Sequence, residues 1–166
     1  MPPAKMSAPE AARQAQAALE THGALVLRTA FGLLKNMQDA EDVAQEVFLS
    51  LLRAAPQFES EEHQKAWLLR ATINRCRSVF RSAWRQRSVP LSEDLPAPFT
   101  PEESAVLEAV SALPLKYRQV VYLHYIEGYT SAEIAGLLGS RQNTVLSQLR
   151  RARALLKAAL KGEWDA

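Results

Sequence analysis

The chain has 166 residues, 48% of them hydrophobic, which suffices for one helical domain or two small ones but leaves little room for a large enzyme. Aromatic residues make up only 7% and strand-like alternation is scarce, so an all-α fold is expected. The net charge of +2 says little, but its distribution says more: residues 70–87 hold six arginines and no acid, and residues 141–161 hold six basic residues and no acid. Twelve of the 20 basic residues thus lie in two blocks, which points to two contacts with a polyanion.

In chain order, residues 1–9 carry three prolines and are expected to form a disordered tail. From Glu10 to about Lys35 the pattern is helical. Ala12, Ala15, Leu19, Leu25, Val26, Phe31 and Leu34 fit either one helix or two that part near Thr21–Gly23, and read most simply as core. The next helix is strongly amphipathic. Asp39 is its N-cap candidate, and Ala40, Val43, Ala44, Val47, Phe48, Leu51 and Leu52 form a wide apolar stripe. Asp39, Asp42, Gln45, Glu46 and Leu49 fall outside that stripe, as a solvated acidic face or a docking surface with an apolar group among its acids. Ala55-Pro56 ends the helix, because proline disfavours helix at the residue before it.

Phe58 to His63 is a polar, acidic loop. Ser60 is placed to cap a helix from about Glu61 to Arg87, with Leu69, Ile73, Cys76, Phe80 and Ala83 as its apolar stripe. Arg70, Asn74, Arg77, Arg81 and Arg85 repeat at helical spacing, about 100° round from that stripe. Trp67 and Trp84 stand near the ends of this ladder. Guanidinium groups bind phosphates bidentately and exposed aromatics stack on unpaired bases, so the arrangement points to nucleic acid.

Residues 88–100, with Pro90, Pro96, Pro98, Glu93 and Asp94, read as a linker between a first domain at 10–87 and a second at 101–166. Thr100-Pro101-Glu102-Glu103 opens the next helix, whose face is Val106, Leu107, Val110 and Leu113. Pro114 breaks the chain and starts another helix, with Leu115, Val120, Val121, Leu123, Tyr125 and Ile126 as apolar surface and Gly128 as its stop. Thr130 and Glu133 form a capping box for a short helix that Gly139 terminates. Ser140 is the cap candidate of the last helix, with Val145, Leu149, Ala152, Leu156 and Ala159 on one stripe and Arg141, Arg150, Arg151, Arg153, Lys157 and Lys161 around it. A short capped helix, a glycine turn and a longer basic helix describe a helix-turn-helix, whose second helix enters the DNA major groove.

Three segments carry a resemblance that covers about residues 20–161. They are the run from Asp39 through Asp42, Gln45 and Glu46 to Phe48; Trp67-Leu68 with Asn74, Arg77 and Arg81; and Leu113-Pro114, Arg118, Glu133-Ile134-Ala135, Leu138-Gly139, Thr144-Val145 and Arg151-Ala152-Arg153. In this order, across a proline-rich linker, they resemble bacterial sigma-70 family RNA polymerase sigma factors of the extracytoplasmic-function (ECF) type. The resemblance implies an all-α fold of two small helical domains, sigma region 2 (residues 10–87) and sigma region 4 (residues 101–166).

The resemblance also implies roles. Asp39, Asp42, Gln45, Glu46 and Leu49 are expected to bind the clamp helices of the largest polymerase subunit. Phe58 to His63, with Trp67 and Asn74, are expected to hold a base flipped from the upstream edge of the bubble, and Arg70, Arg77 and Arg81 to hold the non-template strand of the −10 region. Ser147, Arg150 and Arg151 are expected to face the major groove of the −35 element, and Arg141, Gln142 and Asn143 to meet its phosphates. The linker is expected to thread the polymerase cleft. The implied partners are core RNA polymerase, through the clamp and the flap of the second-largest subunit, and promoter DNA, with room for an anti-sigma factor. The chain departs from many relatives at Ser78, where they carry aspartate, and at Leu146 and Gln148, where they carry basic residues.

No catalytic constellation is present: the chain has no paired carboxylates with an acid or base partner, no phosphate-binding glycine loop and no Ser/His/Asp set. The single cysteine, Cys76, excludes an intrachain disulfide framework and, with three scattered histidines, gives no zinc pattern, so neither metal nor cofactor is expected. Cys76 lies on an apolar stripe and does not read as a redox sensor. No stretch is long and apolar enough to span a bilayer, and Met1 to Pro9 lacks an apolar signal core, so a soluble, cytoplasmic protein is expected. Two other functions fit parts of the pattern. An autonomous dimeric helix-turn-helix regulator leaves the acidic helix and the arginine ladder unexplained, and a protein-binding adaptor leaves the two basic blocks unexplained.

Overall fold

A computed structural model of the chain describes residues 5–86 and 108–164. All regular structure among them is helical. The chain divides into two compact units, one holding residues 5–31 and 36–86, the other residues 32–35 with those from 108 onward. The linker at 88–100 and the helix start at Thr100–Glu103 lie outside the described residues, as do the side chains of Trp84, Arg85 and Lys161.

In the first unit, α1 is one unbroken helix, Ala8–Leu34. It begins inside the stretch expected to be disordered. The Ser7 hydroxyl accepts from Glu10 N at 3.3 Å while the Glu10 carboxylate accepts from Ser7 N at 3.0 Å, a reciprocal cap with Pro9 in the first turn, where proline's missing N–H is tolerated. The buried stripe is Ala11, Ala18, His22 and Val26 rather than the expected Ala12, Ala15 and Leu19; Leu19 is 47% exposed. Helix α1 is thus apolar on two sides, and its side of small residues turns inward.

Helix α2 spans Met37–Ala54 and starts a turn earlier than expected. Asn36, not Asp39, is the N-cap: its side-chain oxygen accepts from Asp39 N at 2.9 Å, leaving Asp39 in the first turn with its charge near the helix dipole. The helix ends at Ala55, which turns left-handed (φ 42°) with its N–H on Leu51 O at 2.9 Å. Helix α3 spans Glu61–Gln86. The Ser60 hydroxyl accepts from His63 N at 3.1 Å and so caps it. Ala40, Val43, Val47 and Leu51 of α2 and Leu68, Leu69, Ile73 and Cys76 of α3 are buried where these two helices pack together. Burial pushes the Cys76 thiol up to about 12. Only the thiolate attacks thiol reagents, so at pH 8 native Cys76 is expected to label at least about a hundredfold more slowly than in urea-unfolded chain. Equal rates in the two states would show that the core does not seal it.

In the second unit, a helical stretch at 108–111 leads through Pro114 into α4, Leu115–Val121, and a π turn, Tyr122–Ile126. Glu127 N bonds Tyr122 O at 3.1 Å, the wider ring of a π turn. The extra residue per turn swings Tyr125 off the apolar face on which the sequence placed it, and Tyr125 is 50% exposed. Gly128 (φ 79°) ends this run. Helix α5 spans Ser131–Leu138, and its capping box forms as expected, with Thr130 Oγ1 accepting from Glu133 N at 3.2 Å and Glu133 Oε1 from Thr130 N at 3.1 Å. Gly139 (φ 65°) closes it. Helix α6 spans Gln142–Trp164. Ser140 does not cap α6. Its N–H bonds Ala135 O at 3.0 Å, completing the end of α5, and its hydroxyl is buried with no hydrogen-bond partner. The start of α6 is tied to that of α5 instead, by Gln142 Nε2 donating to Ser131 Oγ at 3.1 Å.

Candidate functional site

Three surfaces carry the residues singled out from the sequence. The first lies on α1 and α2. Val43 and Val47 take one edge of the α2 stripe into the core, while Ala44, Phe48 and Leu52 wall an open groove of about 570 Å³. Ala12, Ala15, Leu19, Gly23 and Leu27 of α1 form its other wall. Leu49 and Gln45 also line it, so Leu49 is half-buried in a groove rather than standing alone among acids. Asp42 is exposed and Asp39 and Glu46 are half-buried, and the helical register sets them along one edge beside Leu49. The sequence missed the α1 wall, because both of its apolar stripes read as core.

The second surface is the start of α3. Phe58 meets the rings of both His63 (centroids 5.3 Å apart) and Trp67 (6.1 Å apart) nearly edge-on, which fixes the loop onto the helix. Trp67 is half-buried, and Arg70, Asn74, Arg77 and Arg81 follow it along one stripe. Arg70, Asn74 and Arg81 are exposed. Arg77 is half-buried, and burial first, then the charge of Arg81, lowers its pKa. The Ser78 hydroxyl turns back onto Asn74 O at 3.3 Å and adds no charge to the stripe. Beside the loop is a cleft of about 460 Å³ lined by Gln57, Phe58, Ser60, Glu61 and Gln64, with Met6 and Gln14 from the opposite side. Gln14 Nε2 donates to Pro56 O at 3.0 Å and braces the cleft. Neither Met6 nor Gln14 was legible as a site residue, since each is far in sequence from the loop that packing brings it against.

The third surface is α6. Val145, Leu149 and Ala152 are buried and Leu156 is half-buried, so Arg141, Gln142, Asn143, Ser147, Arg150 and Arg151 all stand exposed. Ala159, expected on the buried stripe, is exposed as well. A cleft of about 540 Å³ runs along the helix, lined by Thr144, Ser147, Gln148, Arg150 and Arg151 and, from α4, Lys116 and Tyr117. The Tyr117 phenol is held below its ordinary pKa, first by a hydrogen bond from Arg151 and further by the charge of Lys116, whose Nζ lies 5.0 Å from the ring centroid. The same bond favours the charged form of Arg151. Lys116 and Tyr117 were missed, because no spacing within α6 points to residues on another helix. Farther along, Arg153 Nη1 donates to Tyr125 Oη at 3.1 Å.

Among the described residues no His, Cys, Asp and Glu cluster could hold a metal ion, and no helix is long and apolar enough to cross a membrane.

Two family models match the chain, sigma-70 region 2 at residues 18–86 and sigma-70 region 4 at residues 103–156. The chain is 32% identical to the ECF RNA polymerase sigma factor SigL of Mycobacterium tuberculosis, over 95% of this chain and 96% of that protein. It is also 32% identical to the probable RNA polymerase sigma factor RfaY of Xanthomonas campestris, over 84% of this chain but only 38% of that protein. Among solved structures, CnrH in complex with the cytosolic domain of CnrY has the same fold, with a TM-score of 0.69 and 27% identity over 93% of this chain and 95% of that one. The chain therefore belongs to the sigma-70 family of RNA polymerase sigma factors. Its place within that family is the extracytoplasmic-function group.

Proposed function

We propose that the chain is a dissociable subunit of RNA polymerase that directs initiation to particular promoters. One observation carries this reading: a single chain presents an acid-edged apolar groove in one unit and two separate cationic faces, one on an aromatic-flanked helix and one on a helix-turn-helix. The groove and the edge formed by Asp39, Asp42, Gln45, Glu46 and Leu49 dock the clamp helices of the largest subunit, and the second unit meets the flap of the second-largest. Phe58, Trp67 and Asn74 hold a flipped base of the −10 element, and Arg70, Arg77 and Arg81 hold the strand that follows. Ser147, Arg150 and Arg151 read the −35 element, while Arg141, Gln142 and Asn143 fix the register on its phosphates. The chain performs no chemistry of its own and acts in the cytoplasm with the polymerase. An anti-sigma factor that covered these surfaces would switch it off.

The test is run-off transcription on genomic fragments with core polymerase, with and without the chain. Discrete new start sites and co-elution with core support the reading. Specific binding to a duplex site as a dimer, without core, would favour an autonomous regulator instead.

Strand opening should depend on the second surface. Stacking of a base on an aromatic ring is worth about 1–3 kcal/mol and a hydrogen bond about 0.5–1.5 kcal/mol net, so Trp67→Ala is expected to slow opening by roughly tenfold, and Asn74→Ala by about that or somewhat less, while closed complexes still form. Permanganate reactivity of bubble thymines reports this, and wild-type reactivity in both variants would count against the assignment.

A further inference from the structure

We propose that Leu146 sets the −35 preference of this chain by packing against the methyl group of a thymine in the major groove, an inference that rests on reading α6 as the recognition helix. Leu146 is 43% exposed, and the buried side of α6 is already filled by Val145, Leu149 and Ala152, each at most 2% exposed. Leu146 therefore stands outside that buried face. On the helix surface its neighbours one turn before and after are Gln142, Asn143 and Arg150, all exposed, and Leu149, which is buried. Leu146 is thus an apolar group set into a surface of hydrogen-bond donors and cations.

The chemistry of the partner follows from that setting. Leucine can neither donate to a phosphate nor bond a base edge. In the major groove, the apolar feature that a base pair presents is the thymine C5-methyl. Side chains on a helix lean toward its N-terminus, so Leu146 leans toward the end of α6 that enters the groove in a helix-turn-helix. Leu155, also exposed at 45%, is a useful contrast. It lies nine residues on, half a turn round the helix and roughly 13 Å farther from that end, so it is not placed to reach the same bases.

The test uses holoenzyme assembled from the full chain and core polymerase. A library of −35 variants first defines the preferred element. Each thymine in it, on either strand, is then replaced by deoxyuridine, which lacks only the methyl group. Wild-type holoenzyme is expected to bind about fourfold more weakly at one such position, the worth of one buried methyl-sized group. Leu146→Ala should bind thymine and uracil equally there, with an unchanged salt dependence, because no phosphate contact is lost. The position is exposed and alanine favours helix, so this variant keeps its fold. Arg150→Ala should bind more weakly but keep its preference for thymine over uracil at that position. The proposal is overturned if no position responds in the wild type, if the preferred element contains no thymine, or if Leu146→Ala keeps the full response. A holoenzyme with no preference anywhere in the −35 element would overturn the reading of α6 itself, and this inference with it.

Discussion

Reversing the charge of Asp42 and Glu46 together is expected to weaken binding to core polymerase by at least about a hundredfold. Each substitution replaces an attraction by a repulsion of the same range, and like charges set against each other at an interface cost several kcal/mol. Neither side chain belongs to the core of the first unit: Asp42 is exposed and Glu46 half-buried, while Ala40, Val43, Val47 and Leu51 take the packing. Helicity should therefore be unchanged in Asp42→Arg with Glu46→Arg. Competition against labelled wild-type chain for core polymerase measures the loss, and circular dichroism checks the fold. Part of the loss should depend on ionic strength, since exposed charges are screened. Near-normal affinity with unchanged helicity would place the dock elsewhere.

The second large effect concerns the stability of the second unit. Arg118 is buried, and its Nη2 donates to the carbonyls of Ser111 at 2.7 Å and Leu113 at 2.9 Å. These carbonyls end the helical stretch before Pro114, where the turn leaves them short of backbone partners. Burial lowers the Arg118 pKa, yet its guanidinium remains the donor that this turn uses. Arg118→Met keeps the apolar stem and removes the donors. Bonds from a charged group are worth about 1.5–3 kcal/mol each, and buried carbonyls left alone add their own penalty, so a loss of roughly 3 kcal/mol is expected. For a unit of this size the unfolding midpoint should fall by more than about 10 °C. Arg118→Lys should recover little of it, because a single ammonium cannot reproduce the planar fork. Thermal unfolding followed by far-ultraviolet circular dichroism measures both variants. A midpoint like that of the wild type in Arg118→Met would mean that water or another group serves these carbonyls.

The features legible in the sequence were those that close within a few residues. Thr130 and Glu133 bond each other's backbone, Gly139 and Gly128 take positive φ, Ser60 caps α3, and Pro114 begins α4. Each needs only its own turn of chain, so its residue type and spacing determine it. The exposed faces of α3 and α6 were legible for a related reason: one clear apolar stripe says which side is left for solvent or a ligand. Local reasoning failed where two local claims compete. Asn36 and Asp39 are both cap residues, and the helix starts at the earlier one. Ser140 was the cap candidate of α6, but that helix opens at Gln142, one residue too late, and Ser140 N–H completes the end of α5.

Tertiary structure alone decided the rest. Helix α1 carries two apolar stripes, and periodicity cannot rank them; packing chose the one with Ala11 and Ala18, and so left Leu19 to wall a groove with Phe48 and Leu52. The π turn that exposes Tyr125 has no sequence signal of its own. Tyr117 and Arg151 line one cleft from helices far apart in the chain. The periodic helices, the Thr130–Glu133 capping box and the two cationic faces follow from the sequence, because backbone hydrogen bonding and a 3.6-residue period are local properties. Which apolar face is spent on the core and which remains for a partner is a property of volumes meeting in space, and only the packed structure could decide it.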